Sequence, residues 1–200
     1  MSFSVFLAGF SLGISLILAI GAQNAFVLKQ GLKQQHVFVV CLICALSDAI
    51  LITLGVAGFG VVVQKYPFIE QLARYLGAAF LFFYSALSFK SALTTDHALQ
   101  AQGKEVGSLL AATLTCLAFT WLNPHVYLDT IILLGSISTQ YEGQQVAFGL
   151  GAIFGSFVFF FSLGYGAKLL IPVFKKTKAW KVLELIIGFV MAALGVSLLV

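Results

Sequence analysis

Long apolar runs separated by short polar connections dominate the pattern of hydrophobic and polar positions along the chain. Each run has about 20 residues or more, the length that an α-helix needs to cross a hydrocarbon core of about 30 Å. The alternating pattern of a β-barrel is absent, and several runs exceed the roughly ten residues of a barrel strand. The pattern therefore predicts an all-α polytopic membrane protein with about six transmembrane helices. The runs span roughly residues 3–28, 37–63, 68–89, 108–139, 146–171 and 182–200.

Composition supports this class of protein and excludes a soluble domain. Of the 200 residues, 60% are hydrophobic and 9% are charged, and the mean hydropathy is +1.05. A soluble domain carries about 25% charged residues. The net charge of +4 indicates no nucleic-acid binding, because the lysines cluster in the connections. Positive connections stay cytoplasmic, so six full crossings would place both termini outside, whereas a re-entrant segment would move the N-terminus to the other side.

The longest polar connection divides the chain into two halves of three apolar runs. We interpret residues 1–200 as a single membrane domain in which 90–107 is a linker between a first repeat, 1–89, and a second, 108–200. Three crossings is an odd number, so two such repeats in one chain must be inverted relative to each other. Many secondary transporters are built from inverted repeats with interrupted helices.

A weak internal match supports the repeats. The stretch "AQNAFVL" lies over "LNPHVYL", and this places Gln23 over Asn123 in the first run of each half. A polar pair therefore interrupts helices 1 and 4. The alternative is that two apolar segments align by chance. The second runs of the two halves also match at a constant offset, with Ser47 over Ser156 and Gly55 over Gly164.

Two acidic residues lie deep in apolar runs. Asp48 is about 11 residues into its run, which is about 16 Å of helix, and Asp129 lies well inside the fourth run. A carboxylate near the bilayer centre costs several kcal/mol, and such residues usually face a cavity or an ion path. No deep Lys or Arg is apparent as a partner, so the partner is predicted to be a cationic cargo, a proton or both. The alternative is two structural carboxyls that burial keeps protonated.

The surroundings of the two acids add chemistry. Cys41, Asp48 and Gly55 share a helix face, which we expect to line a cavity. Pro124 removes a backbone donor and biases the residue before it away from helical geometry. The amides of the following half-helix would favour a carboxylate, whereas Asp129 would favour a cation. An amino acid with a cationic side chain offers both groups.

Other polar residues carry less information. Charges near the ends of the runs, among them Lys168 and Glu184, are expected to reach the interface or to pair locally. Cys41 and Cys44 are spaced as a redox pair, but cysteines one turn apart in an apolar helix are usually small hydrophobes. His125 with Asp129 has the spacing of two metal ligands, but no third ligand is evident beyond Asp48. The sequence therefore predicts no metal and no cofactor.

Three motifs in order resemble the LysE/ArgO family of bacterial basic amino-acid exporters. They are "GAQNAFVLKQG" (Gly21–Gly31), "ALSDAILI" (Ala45–Ile52) and "WLNPHVYLDTIILLGS" (Trp121–Ser136). The resemblance covers essentially the whole chain and implies a multi-pass exporter in the bacterial inner membrane rather than an enzyme. It implies lysine, arginine or close analogues as the small-molecule substrate and proton motive force or membrane potential as the driving force, as in antiport with protons.

The resemblance also assigns roles to residues. The two aspartates that matter for transport in the family match Asp48 and Asp129, whereas Ala22 stands where the family usually has proline. The alternatives to basic amino-acid export are the export of neutral amino acids or another small metabolite, or a role as a transmembrane thiol-redox protein. Apart from the bilayer, the substrate and protons, no partner is predicted, and the sequence leaves open whether the chain forms a homo-oligomer. The candidate residues for substrate binding or proton coupling are Asp48, Asp129, Asn123, Gln23, Asn24, His125 and Tyr127, with Pro124 and Gly21 at the helix breaks.

Overall fold

The computed structural model describes residues 2–18, 21–58, 67–94 and 107–199, and these form helices and no strand. Beyond Gly166 the chain continues through a 3₁₀ turn (Ala167–Leu170) and a short helix (Ile171–Phe174). The helices are α1 (Phe3–Ile17), α2 (Ala22–Lys33), α3 (Val37–Val56), α4 (Pro67–Thr94), α5 (Leu109–Trp121), α6 (Pro124–Ser138), α7 (Gln145–Gly166) and α8 (Thr177–Ser197).

Four stretches of helix are long and apolar enough to cross a membrane, and they lie in α3, α4, α7 with its extension, and α8. Two further pairs of helices qualify when each pair is counted as one bent span. The axes of α1 and α2 differ by 84°, and those of α5 and α6 differ by 60°. The prediction of an all-α polytopic membrane protein is confirmed, and so is the interruption of the first and fourth apolar runs.

The first break forms without proline. Gly21 is extended, with φ −115° and ψ 169°, and it precedes the first residue of α2. The side-chain amide of Asn24 donates a hydrogen bond of 2.7 Å to the carbonyl of Ile17, at the last turn of α1. This bond satisfies a carbonyl that the end of a helix would otherwise leave unpaired. Ala22 in place of the family's proline is therefore compatible with a sharp bend.

The second break follows from the Asn-Pro pair. Asn123 is extended, with φ −99° and ψ 107°, as expected for a residue before proline. Its side-chain oxygen accepts a hydrogen bond of 3.1 Å from the His125 backbone N–H, so Asn123 caps α6. Across the break, the Tyr127 hydroxyl donates a hydrogen bond to the carbonyl of Trp121. The break between α5 and α6 is therefore stabilised by hydrogen bonds from side chains next to it.

Matching contacts join the two halves. α1 and α2 pack against α7, α5 and α6 pack against α3, and α4 packs along α8. A Cβ at Gly31 would lie 2.3 Å from the carbonyl oxygen of Gly164, and one at Gly55 would lie 2.8 Å from the Cα of Ile131. In the predicted repeat, position 31 aligns with 131 and position 55 aligns with 164. The contact of 31 with 164 therefore corresponds to the contact of 131 with 55, as expected if the two halves are repeats. The division into two inverted repeats stays a prediction.

Helix α4 continues to Thr94, so the linker expected at 90–107 begins inside a helix, and 95–106 lie outside the described residues.

Glycines set the distance between α1 and α7. A Cβ at Gly9 would lie 2.0 Å from the carbonyl oxygen of Phe148, and one at Gly151 would lie 2.0 Å from that of Phe6. No side chain fits at such distances, so the two backbones are in direct contact. Helices in membranes associate through small residues of this kind because lipid offers no hydrophobic driving force between them.

Candidate functional site

Both helix breaks open onto one cavity of about 340 Å³, which also reaches the middle of α3. This volume lies within the roughly 300–1,000 Å³ of small-molecule sites. The apolar part of its wall includes Leu16, Phe160 and Leu194. The structure thus brings together most of the predicted site, which came from three separate motifs. The predicted residues that line the cavity are Gly21, Gln23, Asn24, Asp48, Asn123, His125 and Asp129.

Asp48 is the most deeply buried acid of the cavity, with 3% of its surface exposed. The hydroxyl of Ser156 on α7 donates a hydrogen bond of 2.7 Å to its Oδ2. Beside Asp48 on α3, Ser47 accepts a hydrogen bond of 3.2 Å from the indole N–H of Trp121, and this holds the end of α5 near the acid. The site prediction missed Ser156, although its alignment with Ser47 was the signal that could have identified it.

Asp129 lies on a π-helical turn. Residues Leu128–Leu133 are π-helical, and the Leu134 N–H bonds the Asp129 carbonyl five residues back. Such wide turns are rare and occur frequently at functional sites. The Asp129 carboxylate is half-buried, and His125 is close enough to interact with it electrostatically. The sequence predicted the proline break before this turn but not the turn itself.

Neither cavity acid forms an ion pair with a Lys or Arg among the described residues. The ion pair found in that part of the chain joins Lys29 to Glu184, which do not line the cavity. Two carboxylates on one cavity without a resident cation leave room for a positively charged ligand or for protons. Apolar groups such as Leu16 and Leu194 suit the methylene stem of a long cationic side chain.

The other predicted residues differ in what they offer the cavity. Gln23 is 9% exposed, and its Nε2 has no hydrogen-bond partner among the described residues. The Cys44 thiol is close to this amide but makes no hydrogen bond of normal geometry with Nε2. Asn24 uses its amide on the α1 carbonyl. Tyr127 does not line the cavity, and its hydroxyl serves the helix break instead.

The expectation that one face of α3 lines the cavity is wrong apart from Asp48. The Cys41 thiol donates to the Phe160 carbonyl at 3.2 Å and packs against Gly164 on α7. Gly55 contacts the backbone of α6. Both positions serve close helix packing, which small residues permit as readily as a cavity would. Small side chains on a helix face can line a cavity or permit close helix packing, and at Cys41 and Gly55 they permit packing.

The three cysteines are free and buried. Cys44 Sγ lies 3.2 Å from Cys116 Sγ on α5, so its sulfur neighbour is not the one in the Cys-x-x-Cys spacing. The described residues hold no group of three or more His, Cys, Asp or Glu side chains placed to bind a metal ion.

A second buried polar cluster was not predicted. Lys29 lies within α2, and its ammonium is 2.7 Å from Oε1 and 3.0 Å from Oε2 of Glu184 on α8. Glu184 is completely buried, and the Lys29 ammonium lies 5.7 Å from the centre of the Tyr84 ring. The interpretation that the lysines cluster in the connections therefore fails for Lys29, and the expectation that Glu184 reaches the interface or pairs locally is wrong. The bend before α2 returns Lys29 into the helix bundle, and a linear hydropathy pattern cannot show this.

Known proteins resemble this chain over nearly its whole length. The sequence model of the LysE type translocator family matches residues 14–200. The arginine exporter protein ArgO of Escherichia coli (strain K12) is 37% identical over 98% of this chain and 93% of its own length. ArgO of Salmonella enteritidis PT4 (strain P125109) is 38% identical over 94% of this chain and 90% of its own length. A Mycobacterium tuberculosis (strain ATCC 25618 / H37Rv) protein, whose name assigns it to amino-acid transport without a stated substrate, is 36% identical over 94% of this chain and 92% of its own length.

No solved structure matches the chain. The family match covers all three motifs and both aspartates of the cavity. The membrane-spanning helices and the exporter relatives identify a multi-pass membrane protein. The chain belongs to the LysE type translocator family.

Proposed function

We propose that this protein exports basic amino acids, arginine or lysine, from the bacterial cytoplasm across the inner membrane. The observation that carries the proposal is a cavity with two carboxylates, Asp48 and Asp129, and no described Lys or Arg side chain paired with either of them. The names of the two ArgO relatives agree with a cationic amino acid as the cargo. A neutral amino acid would leave one or both carboxylates without a counter-ion.

Energetics require a coupling step. Moving a cargo of charge +1 outward against an inside-negative potential costs about 2.3 kcal/mol per 100 mV, so export needs a compensating inward charge. In the proposed cycle, cargo entering from the cytoplasm displaces protons from Asp48 and Asp129. Protonation from the outside then releases the cargo. The two halves of the chain rock around the cavity and expose it to each side in turn.

Counterflow in proteoliposomes tests the proposal. Labelled arginine or lysine should accumulate in vesicles preloaded with the unlabelled amino acid. Asp48→Asn and Asp129→Asn should each lower the rate at least about tenfold, since each removes a charge that faces the cargo. Glu142→Gln is the matched control, because this exposed acid lies between α6 and α7, away from the cavity. Undiminished counterflow by both aspartate variants would contradict the proposal.

Competition separates basic from neutral cargo on the same scaffold. Unlabelled arginine should inhibit counterflow, whereas homoserine and leucine should not. A strain that lacks the gene should become sensitive to canavanine if arginine is the cargo, or to thialysine if lysine is. Inhibition by leucine that equals inhibition by arginine would favour a neutral amino-acid exporter.

A further inference from the structure

We propose that the N-terminus of α2, together with the side-chain amide of Gln23, binds the α-carboxylate of the transported amino acid. This subsite rests on the proposed function and adds the recognition of a second group on the cargo. The two aspartates account for the cationic groups of the cargo, but neither can accept its carboxylate.

In the first turn of α2, the backbone N–H groups of Ala22 and Gln23 have no acceptor among the described residues. Gly21 is the N-cap, and no side chain caps the helix. The α-helical ladder begins with the Ala25 N–H, which donates to the Gly21 carbonyl at 3.1 Å. The earlier N–H groups of a helix have no acceptor within it. Ala22 and Gln23, which carry two of these groups, both line the cavity.

The side chain of Gln23 is an independent indication of a ligand. It is more than nine-tenths buried on the cavity wall, and its Nε2 has no hydrogen-bond partner among the described residues. Buried donors of this kind are rarely left unpaired in native structures, so an unpaired one requires an explanation. A carboxylate would accept hydrogen bonds from Nε2 and from the backbone N–H groups together, and the helix dipole would favour its charge.

The other half-helix in the cavity does not offer this chemistry. At the start of α6, Pro124 has no N–H, and Asn123 already accepts the hydrogen bond of the His125 N–H. Asp129 lies one turn further on and lines the same cavity, so it would repel an anion there. Helix α2, in contrast, contains no acid, and the N–H groups of Ala22 and Gln23 at its start have no acceptor among the described residues.

The consequence is a two-ended site. The carboxylate of the cargo lies at the N-terminus of α2, and its cationic groups lie toward Asp48 and Asp129. A molecule with the same cationic groups but no carboxylate, such as a diamine or an amino-acid amide, should therefore be a poor ligand.

L-Argininamide tests this arrangement, because it retains both cationic groups of arginine and replaces the carboxylate with a neutral amide. We compare the concentrations of arginine and argininamide that halve the counterflow of labelled arginine in proteoliposomes. In the wild-type protein, argininamide should be weaker than arginine by about tenfold to a hundredfold, the loss of a charge-assisted hydrogen bond. In Gln23→Leu and in the isosteric Gln23→Glu, this ratio should fall at least about fivefold.

Gln30→Leu is the matched control, since Gln30 lies two turns further along the same face of α2 and outside the cavity. It should keep the wild-type ratio. Argininamide that competes as well as arginine in the wild type, or a ratio that neither Gln23 variant changes, would overturn the subsite while arginine counterflow upholds the proposed function. A wild-type protein that transports neither arginine nor lysine would overturn both.

Discussion

Removing one partner of the Lys29–Glu184 ion pair should destabilise the protein far more than removing both. The ammonium of Lys29 lies within 3.0 Å of both carboxylate oxygens, and no part of Glu184 is exposed. The pair joins α2, which carries Gln23, to α8. The ion pair therefore also holds α2, which forms part of the cavity wall, in its position.

The size of the effect follows from the burial of each partner. Lys29→Met leaves Glu184 without a counter-ion, and breaking a buried pair in this way costs about 3–5 kcal/mol. Glu184→Met should cost less, because the Lys29 side chain is 13% exposed and is long enough to carry its charge toward water. The double variant should lie within about 1 kcal/mol of wild type, since apolar residues of similar volume often replace a buried pair at little cost.

Unfolding in detergent, followed by tryptophan fluorescence, measures the free energy of unfolding of the wild type, the two single variants and the double variant, which together form a double-mutant cycle. Lys181→Met is the matched control, because Lys181 is exposed on the same helix as Glu184, and it should change stability by less than about 0.5 kcal/mol. Arginine counterflow should fall in both single variants and recover in the double variant. Additive losses, with the double variant the least stable, would refute the reasoning.

Two further predictions concern the Asp48 hydrogen bond and the α1–α7 contact. Ser156→Ala removes the 2.7 Å donor to Asp48 and should weaken arginine counterflow about tenfold, whereas Ser162→Ala, at an exposed position of α7, should leave it unchanged. Equal rates in the two variants would contradict a role for the donor. Gly151→Ala would place a Cβ 2.0 Å from a carbonyl oxygen of α1 and should cost at least about 2 kcal/mol of unfolding free energy in detergent. Gly166→Ala meets no atom within 4 Å and should be neutral or stabilising by about 0.5–1 kcal/mol, so equal losses in both variants would contradict the packing argument.

The helix breaks and the cavity acids could be predicted because each depends on local chemistry. Pro124 cannot donate a backbone hydrogen bond, and it forces Asn123 out of the helix wherever the chain is placed. A carboxylate at the depth of Asp48 or Asp129 is too costly to face lipid, so a cavity was the expected solution.

The remaining features depend on which helices become neighbours. The hydrogen bond from Ser156 to Asp48 joins residues 108 positions apart, and the ion pair of Lys29 joins residues 155 positions apart. No local periodicity encodes either contact. The π-helical turn at Asp129 packs against α3, and residues of the same types form ordinary α-helix elsewhere in the chain, so residue type alone does not encode this turn.

The differences between the two halves are as informative as their similarity. If the two halves were identical copies of one repeat, the two half-helices would offer the cavity two equivalent sites, which would suit a symmetric ligand. The positions that the predicted repeat aligns instead differ in charge, with Lys29 aligned to Asp129. They also differ in hydrogen bonding, since Gln23 Nε2 has no partner among the described residues whereas Asn123 caps α6. In the proposed site, one half-helix offers its donors to an anion, whereas the other offers an acid to a cation. A basic amino acid has that asymmetry, with a single carboxylate and an excess of positive charge, and the divergence of the halves matches the proposed cargo better than a diamine or a simple cation.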